Sequence, residues 1–314
     1  MALEEVKLET PKLTEFLEKV EKWKADCDIG ERAIYRGHTD ANWILIAKLF
    51  RDPGAKPENK NSDDPQEIEK QLVGEHLPMK EAHGIEHRLF HDFSRYLYAF
   101  RPDLACAFPG EDKNSNIRAV QEWRQLALAQ HYGVPTRFLD FTTNMLVALF
   151  FALEGPAAQR TTTKGEKVEQ DSAVWGIEVP NRLKVWQVWG KKKDNMISWL
   201  SPLEFAEEES NPPIDHFVNT AFVPEHIDER MRAQGSIFMC EPRGKKHNWQ
   251  LHMKLQKKEI PPLKVYIPAD FRRPLLKQLD SVGINRATMF PDLEGAAKYL
   301  EWAVYQGKKH YTKK

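Results

Sequence analysis

Nine consecutive residues, Met145–Leu153 (MLVALFFAL), are all apolar. A helix built from them has no polar face, so the rest of the fold must cover it on both sides. At 1.5 Å per residue it is about 14 Å long, far short of the ~30 Å core of a bilayer. The chain can supply that cover: it has 314 residues, 41% hydrophobic and 29% charged. This is a normal globular composition, which excludes a disordered chain, a collagen and a disulfide miniprotein. Length alone predicts about two domains, or one domain with large insertions.

Charge narrows the partners. Lys+Arg and Asp+Glu are both 46, so no bulk field draws the chain to nucleic acid or an anionic membrane. Cys27, Cys106 and Cys240 are odd in number and far apart. Neither a zinc site nor a disulfide framework is expected, and a reducing cytoplasmic location fits. The first residues, MALEEVKLETPKL, lack the apolar core of a signal peptide.

Periodicity predicts mixed α+β. Helices are expected from Thr10-Pro11 through Trp23, over His87–Phe100, over Arg118–Tyr132, over Asn144–Leu153, over Glu225–Ala233, over Asp270–Val282 and over Asp292–Tyr305. Strands are expected at Ala33–Tyr35, at the end of Val134–Asp140, and at Ser172–Val179, Val185–Trp189, Ser236–Cys240, Leu263–Ile267 and Arg286–Phe290.

Four groups carry polar chemistry. Tyr35-Arg36-Gly37 ends a strand with a guanidinium fork and a residue that lets backbone come close, although spacing alone favours a plain strand-end turn with an exposed arginine. Gln130–Asn144 interleaves His131, Arg137, Asp140, Thr142 and Thr143 with a tight turn. Those side chains either face a cleft or serve locally, with Asp140 or Thr142 capping the next helix and Arg137 paired to Asp140. Gln234 precedes a strand, behind a helix end stopped by Gly235. Asp292 and Glu294 open the last helix, where Asp292 is a natural cap. His83, His87 and His91 share one helix face but lack a zinc-binding order, and Gly84 weakens that helix, so no metal is expected. Lys191–Lys193 read as a solvated turn. No phosphate-binding loop, dinucleotide fingerprint or nucleophile elbow occurs.

Taken in order, Tyr35-Arg36-Gly37, the run Gln130–Thr142, Arg230–Phe238 and Phe290-Pro291-Asp292-Leu293 resemble the FRG-domain family over roughly residues 30–300. The resemblance implies a distant relative of the ADP-ribosyltransferases. That would be a split β-sheet core with a helical N-terminal region, 1–29, a catalytic domain over 30–305 with a helical insertion at about 52–128, and a basic tail, 306–314.

On that resemblance Tyr35, Arg36, Gly37, His131, Tyr132, Arg137, Thr142 and Thr143 would hold NAD as substrate. Arg36, Asp140, Gln234 and Glu294 are the catalytic candidates, and the usual glutamate before the Ser236 strand is replaced by Gln234. The acceptor would be nucleic acid (RNA or DNA), ahead of protein. Family members resemble toxins or effectors of bacterial phage defence, which implies antitoxin and chaperone partners and no membrane. Two other classes stay open: an NAD glycohydrolase, and a binding module without catalysis.

Overall fold

The computed structural model describes residues 3–30, 33–43, 45–50, 79–105, 115–155, 159–161, 167–179, 190–193, 196–199, 220–222, 229–240 and 261–311. In chain order the first half holds β1 (Glu4–Lys7), α1 (Leu13–Asp26), β2 (Ala33–His38), α2 (Met79–Phe100), α3 (Ser115–His131), β3 (Phe138–Thr142) and α4 (Met145–Leu153). Then come β4 (Gln159–Thr161), β5 (Lys167–Glu169), β6 (Ser172–Glu178), β7 (Gly190–Lys193), β8 (Met196–Trp199) and β9 (Thr220–Phe222). The chain continues through α5 (Glu229–Ala233), β10 (Ser236–Cys240), β11 (Leu263–Ile267), α6 (Arg272–Ser281), α7 (Arg286–Met289) and α8 (Leu293–Tyr311). The class is α+β, as expected. Among the described residues no helix is long and apolar enough to cross a membrane.

Seven strands form one mixed sheet in the order β1-β11-β6-β2-β3-β10-β9. Only the β1–β11 edge pair is parallel. Strand alternation separates two faces. Ala33 and Tyr35 of β2 and Val174 of β6 join a core with α1, α4, α6 and α7. Ile34, Trp175, Ile177, Leu139, Phe141 and Ile237 point the other way, under the segment Leu45–Leu49.

The apolar helix α4 sits where its composition demands, between β2 and β6 on one side and α6 on the other. Its backbone lies directly on the strand: a Cβ at Gly37 would stand 2.1 Å from the Ala148 carbonyl oxygen. Gly176 makes the same allowance for Trp23 of α1, whose ring would lie 3.0 Å from an added Cβ. The C-terminal carbonyls of α4 are taken by buried Arg272, which donates to Ala152 O at 3.0 Å, Leu153 O at 2.8 Å and Gly155 O at 3.3 Å. A cation there also complements the helix dipole.

Several expectations change. The N-terminal segment supplies a strand, β1, as well as its helix. Helix α1 starts at Leu13, and Thr10 instead binds Glu15. Helix α2 runs through Gly84. Lys191–Lys193 belong to β7, paired with β8, because Lys191 lies opposite Ser198. Arg286–Phe290 is the helix α7 rather than a strand: Asn285 accepts from the Thr288 amide and the Thr288 hydroxyl accepts from the Asn285 amide, a reciprocal cap that starts a helix. Helix α8 continues into the expected basic tail. Val185–Trp189 lies outside the described residues.

Gly37→Ala should therefore destabilise the fold by about 1–3 kcal/mol or more, since α4 must retreat from β2; urea unfolding measures it. Glu15 gives a pH prediction. Burial raises its pKa, but hydrogen bonds from Glu9, Thr10 and Lys19 outweigh that and lower it from 4.5 to about 2. Its stabilisation is fully present above pH 4.5 and lost as pH falls toward 2. Glu15→Gln should be less stable than the parent at pH 7, with the difference closing over that range in thermal melts.

Candidate functional site

The sheet is joined at its middle by one residue pair. Between β2 and β3 only Tyr35 and Thr142 are in register, whereas β2 pairs with β6 along all six of its residues. Past Tyr35 the two strands part, and Arg36 reaches across the opening. Its Nη1 donates to the Asp140 carbonyl oxygen at 2.5 Å and lies 3.8 Å from Asp140 Oδ2. The guanidinium thus replaces the ladder bonds that the diverging strands do not make.

Arg36 is also held from its own strand. Its Nε donates to His38 Nε2 at 3.1 Å, two residues on and therefore on the same face. His38 is buried, with Nδ1 3.3 Å from the Trp43 carbonyl oxygen. A ring that accepts at Nε2 carries its proton on Nδ1, so His38 is the neutral tautomer. The rings of Trp43 and Trp175 stand edge-on to it at 6.0 and 6.5 Å. Burial lowers the Arg36 pKa and Asp140 opposes the shift; the guanidinium remains charged.

Asp140 is positioned from α3. Gln130 Nε2 donates to Asp140 Oδ2 at 2.7 Å, and Gln130 Oε1 accepts from the Thr136 hydroxyl at 2.6 Å. The Phe138 amide donates to that hydroxyl at 3.1 Å. Asp140 Oδ1 and Arg36 Nη2 have no protein partner among the described residues. A cation and an anion therefore share one opening, each with a free edge. The Asp140 side chain is 54% exposed and that of Arg36 17%.

The other expected residues fall into distinct places. Tyr35 is buried on the α4 face, and Gly37 is filled by α4 itself, so neither offers a surface to a ligand. Arg137 is not paired to Asp140. It forms a bidentate pair with Glu86 of α2, Nε to Oε1 at 2.8 Å and Nη2 to Oε2, both side chains buried. Thr142 accepts from the Asn144 amide at 3.1 Å, and Asn144, not Asp140 or Thr142, caps α4. Thr143 is exposed beside Gly235. His131 and Tyr132 end α3, with Tyr132 54% exposed and its ring 6.3 Å from Phe93.

Gln234 donates to the Met289 carbonyl oxygen at 3.0 Å. Glu294 is exposed and paired with Lys298, which lowers its pKa. Asp292 caps α8 by accepting from the Gly295 amide at 2.6 Å. Among the described residues, no hydrogen bond or ion pair joins Gln234 or Glu294 to Arg36. Groups of three or more His, Cys, Asp or Glu side chains able to hold a metal are also absent there. His38 and Gln130 are the site residues that sequence reasoning missed. Alternation from Arg36 would have found His38.

Residues 31–161 match the FRG domain. No curated protein and no solved structure matches the chain. The FRG-domain span runs from β2 through α4 into β4, so it contains both sides of the opening and every member of the Arg36–His38–Asp140–Gln130 network. It stops short of the expected 30–300. Gln234 and Glu294 lie outside it.

The Arg137–Glu86 pair predicts a stability effect. Glu86→Leu, which removes the bidentate acceptor of the buried guanidinium, should cost about 3–5 kcal/mol. The double variant Glu86→Leu/Arg137→Met should recover most of that in chemical denaturation, because the guanidinium and its bidentate carboxylate are removed together.

Proposed function

We propose that the opening between β2 and β3 binds NAD⁺ as substrate and transfers its ADP-ribosyl group to an acceptor, releasing nicotinamide and the acceptor's proton. The observation that supports this is the Arg36–Asp140 arrangement: a guanidinium and a carboxylate, each half engaged by the protein and each with a free edge. The free Nη2 of Arg36 suits a pyrophosphate oxygen. Cleaving the nicotinamide–ribose bond builds positive charge on the sugar, and Asp140, steadied by Gln130, is the carboxylate at hand to stabilise it. It also suits the role of base toward the acceptor. Exposed Tyr132 is an aromatic face for the cationic nicotinamide ring. The resemblance to toxin and effector families orders the acceptors, nucleic acid before protein, and brings antitoxin and chaperone partners into the same reading.

A second reading has its own support. The exposure of the Asp140 side chain leaves water able to reach the sugar, which favours hydrolysis of NAD⁺ where no macromolecule is bound.

Nicotinamide released from NAD⁺ by the purified chain tests both. Arg36→Ala and Asp140→Asn should each lower release by about 100-fold or more, and Asp140→Asn, which keeps the carbonyl that Arg36 bonds, should melt near the parent temperature. Gln130→Ala, a positioning change, should lower it less. Release that requires added RNA, DNA or protein identifies transfer, and release without them identifies hydrolysis. Release that survives Asp140→Asn, or no release under any condition, would overturn the assignment.

A further inference from the structure

Arg36 reaches across the opening through Nη1, but its aim is set at Nε, which donates to His38 Nε2 at 3.1 Å. Each nitrogen of that ring has the partner that the neutral form needs. Nδ1 faces the Trp43 carbonyl oxygen, 3.3 Å away, and carries the proton; bare Nε2 accepts from the guanidinium. A second ring proton can be added only at Nε2. There it sets two N–H groups head to head at 3.1 Å and two positive charges side by side. One hydrogen bond is lost and one repulsion gained.

The ring has little room to turn from that conflict. His38 is 3% exposed, with Trp43 and Trp175 edge-on to it. The Arg36 side chain is 17% exposed and ends at the opening, so the guanidinium is the group that yields. Its bond to the Asp140 carbonyl goes with it. Among the described residues, other charged groups surround the pair on this face. Glu5, Lys264, Trp175 and Arg36 form one cross-strand row. Lys264 lies 4.8 Å from the Trp175 ring, and Glu5 bonds the Tyr266 hydroxyl. The row of His38 runs through Ala173 and Tyr266 to Lys7, which pairs with Asp171. Asp140 is held by Gln130, and Asp40 accepts from the Asn42 amide. The carboxylates favour a proton on the ring and the cations oppose it. Arg36 alone of these is bonded directly to Nε2, and burial also disfavours the charged ring. His38 therefore takes up its second proton below the range of exposed histidines, about 6.5.

We propose that His38 is a proton-operated latch: its neutral ring holds Arg36 across the β2–β3 opening, and its protonation releases the guanidinium and leaves the opening unbridged. His38 is a positioning residue, acting on any substrate only through Arg36. That the latch controls catalysis rests on the NAD⁺ reading; the latch itself does not, since it is built from protein groups alone.

Magnetic resonance of the full chain tests it without substrate. The Arg36 Nε–H resonance, assigned by its loss in Arg36→Lys, reports the bond, and the His38 ring resonance reports the proton. Both should change together, with a midpoint below about pH 6.5. His38→Gln sets a neutral amide oxygen where Nε2 stands, so its Arg36 resonance should persist through that range; thermal melts check that it folds. Nicotinamide release by the parent should fall about tenfold for each pH unit below the midpoint, following the neutral fraction of the ring, and His38→Gln should lack that limb. A ring that titrates at or above about pH 6.5, or that stays neutral until the chain unfolds, would overturn the inference. So would an Arg36 resonance indifferent to the ring's proton, or the same acid loss in His38→Gln. Coupled resonances without nicotinamide release under any condition would uphold the latch and overturn the NAD⁺ reading instead.

Discussion

The contact on which the rest of the molecule depends is backbone against backbone, α4 on β2 at Gly37. No side chain separates the Ala148 carbonyl from the strand. Helix and sheet therefore meet closer than any larger residue allows, and the rotation of β2 is set. Tyr35 must turn into the α4 core, and Arg36 and His38 must turn to the opposite face. The guanidinium is thus aimed by a helix on the other face of the sheet. Arg272 secures the same helix from its other end.

The same guanidinium does two jobs. It bonds across the strands where the ladder has opened, and it keeps an edge free in that opening. The pair at Arg137 shows what a purely structural arginine looks like in this fold: bidentate, buried, with its carboxylate fully engaged. Arg36 and Asp140 depart from that pattern in exposure and in unfilled bonding capacity. Full satisfaction is the norm for groups that only hold a structure together.

How legible this was depended on where each residue's partner lies along the chain. Helix α4 could be read directly, because a segment with no polar face admits one environment. The cap at Asp292 was readable too, since its partner is three residues away. Strand β1 was hidden: four residues, EEVK, carry too little pattern to separate an edge strand from a loop. The alternative that paired Arg137 with Asp140 failed because its partner is Glu86, 51 residues earlier. The Arg36–Asp140 contact spans 104 residues, so the motif marked both residues as noteworthy without showing that they meet. Gly37 announced a close approach, but not whether helix or ligand makes it.

The pairing of β1 with β11 carries a consequence for how the chain is made. Glu4 lies opposite Leu263 and Lys7 opposite Tyr266. Strand β1 has its place in the sheet only after some 250 further residues have been made. Trp23 waits as long, because its indole donates to the Pro261 carbonyl oxygen. During synthesis β1 is an unpaired strand followed by the amphipathic helix α1, and the half of the sheet that carries Arg36 is completed last. Contacts of such long range make folding slow. Until β11 arrives, the strand holding the guanidinium has neither its full sheet nor the α1 layer to brace it.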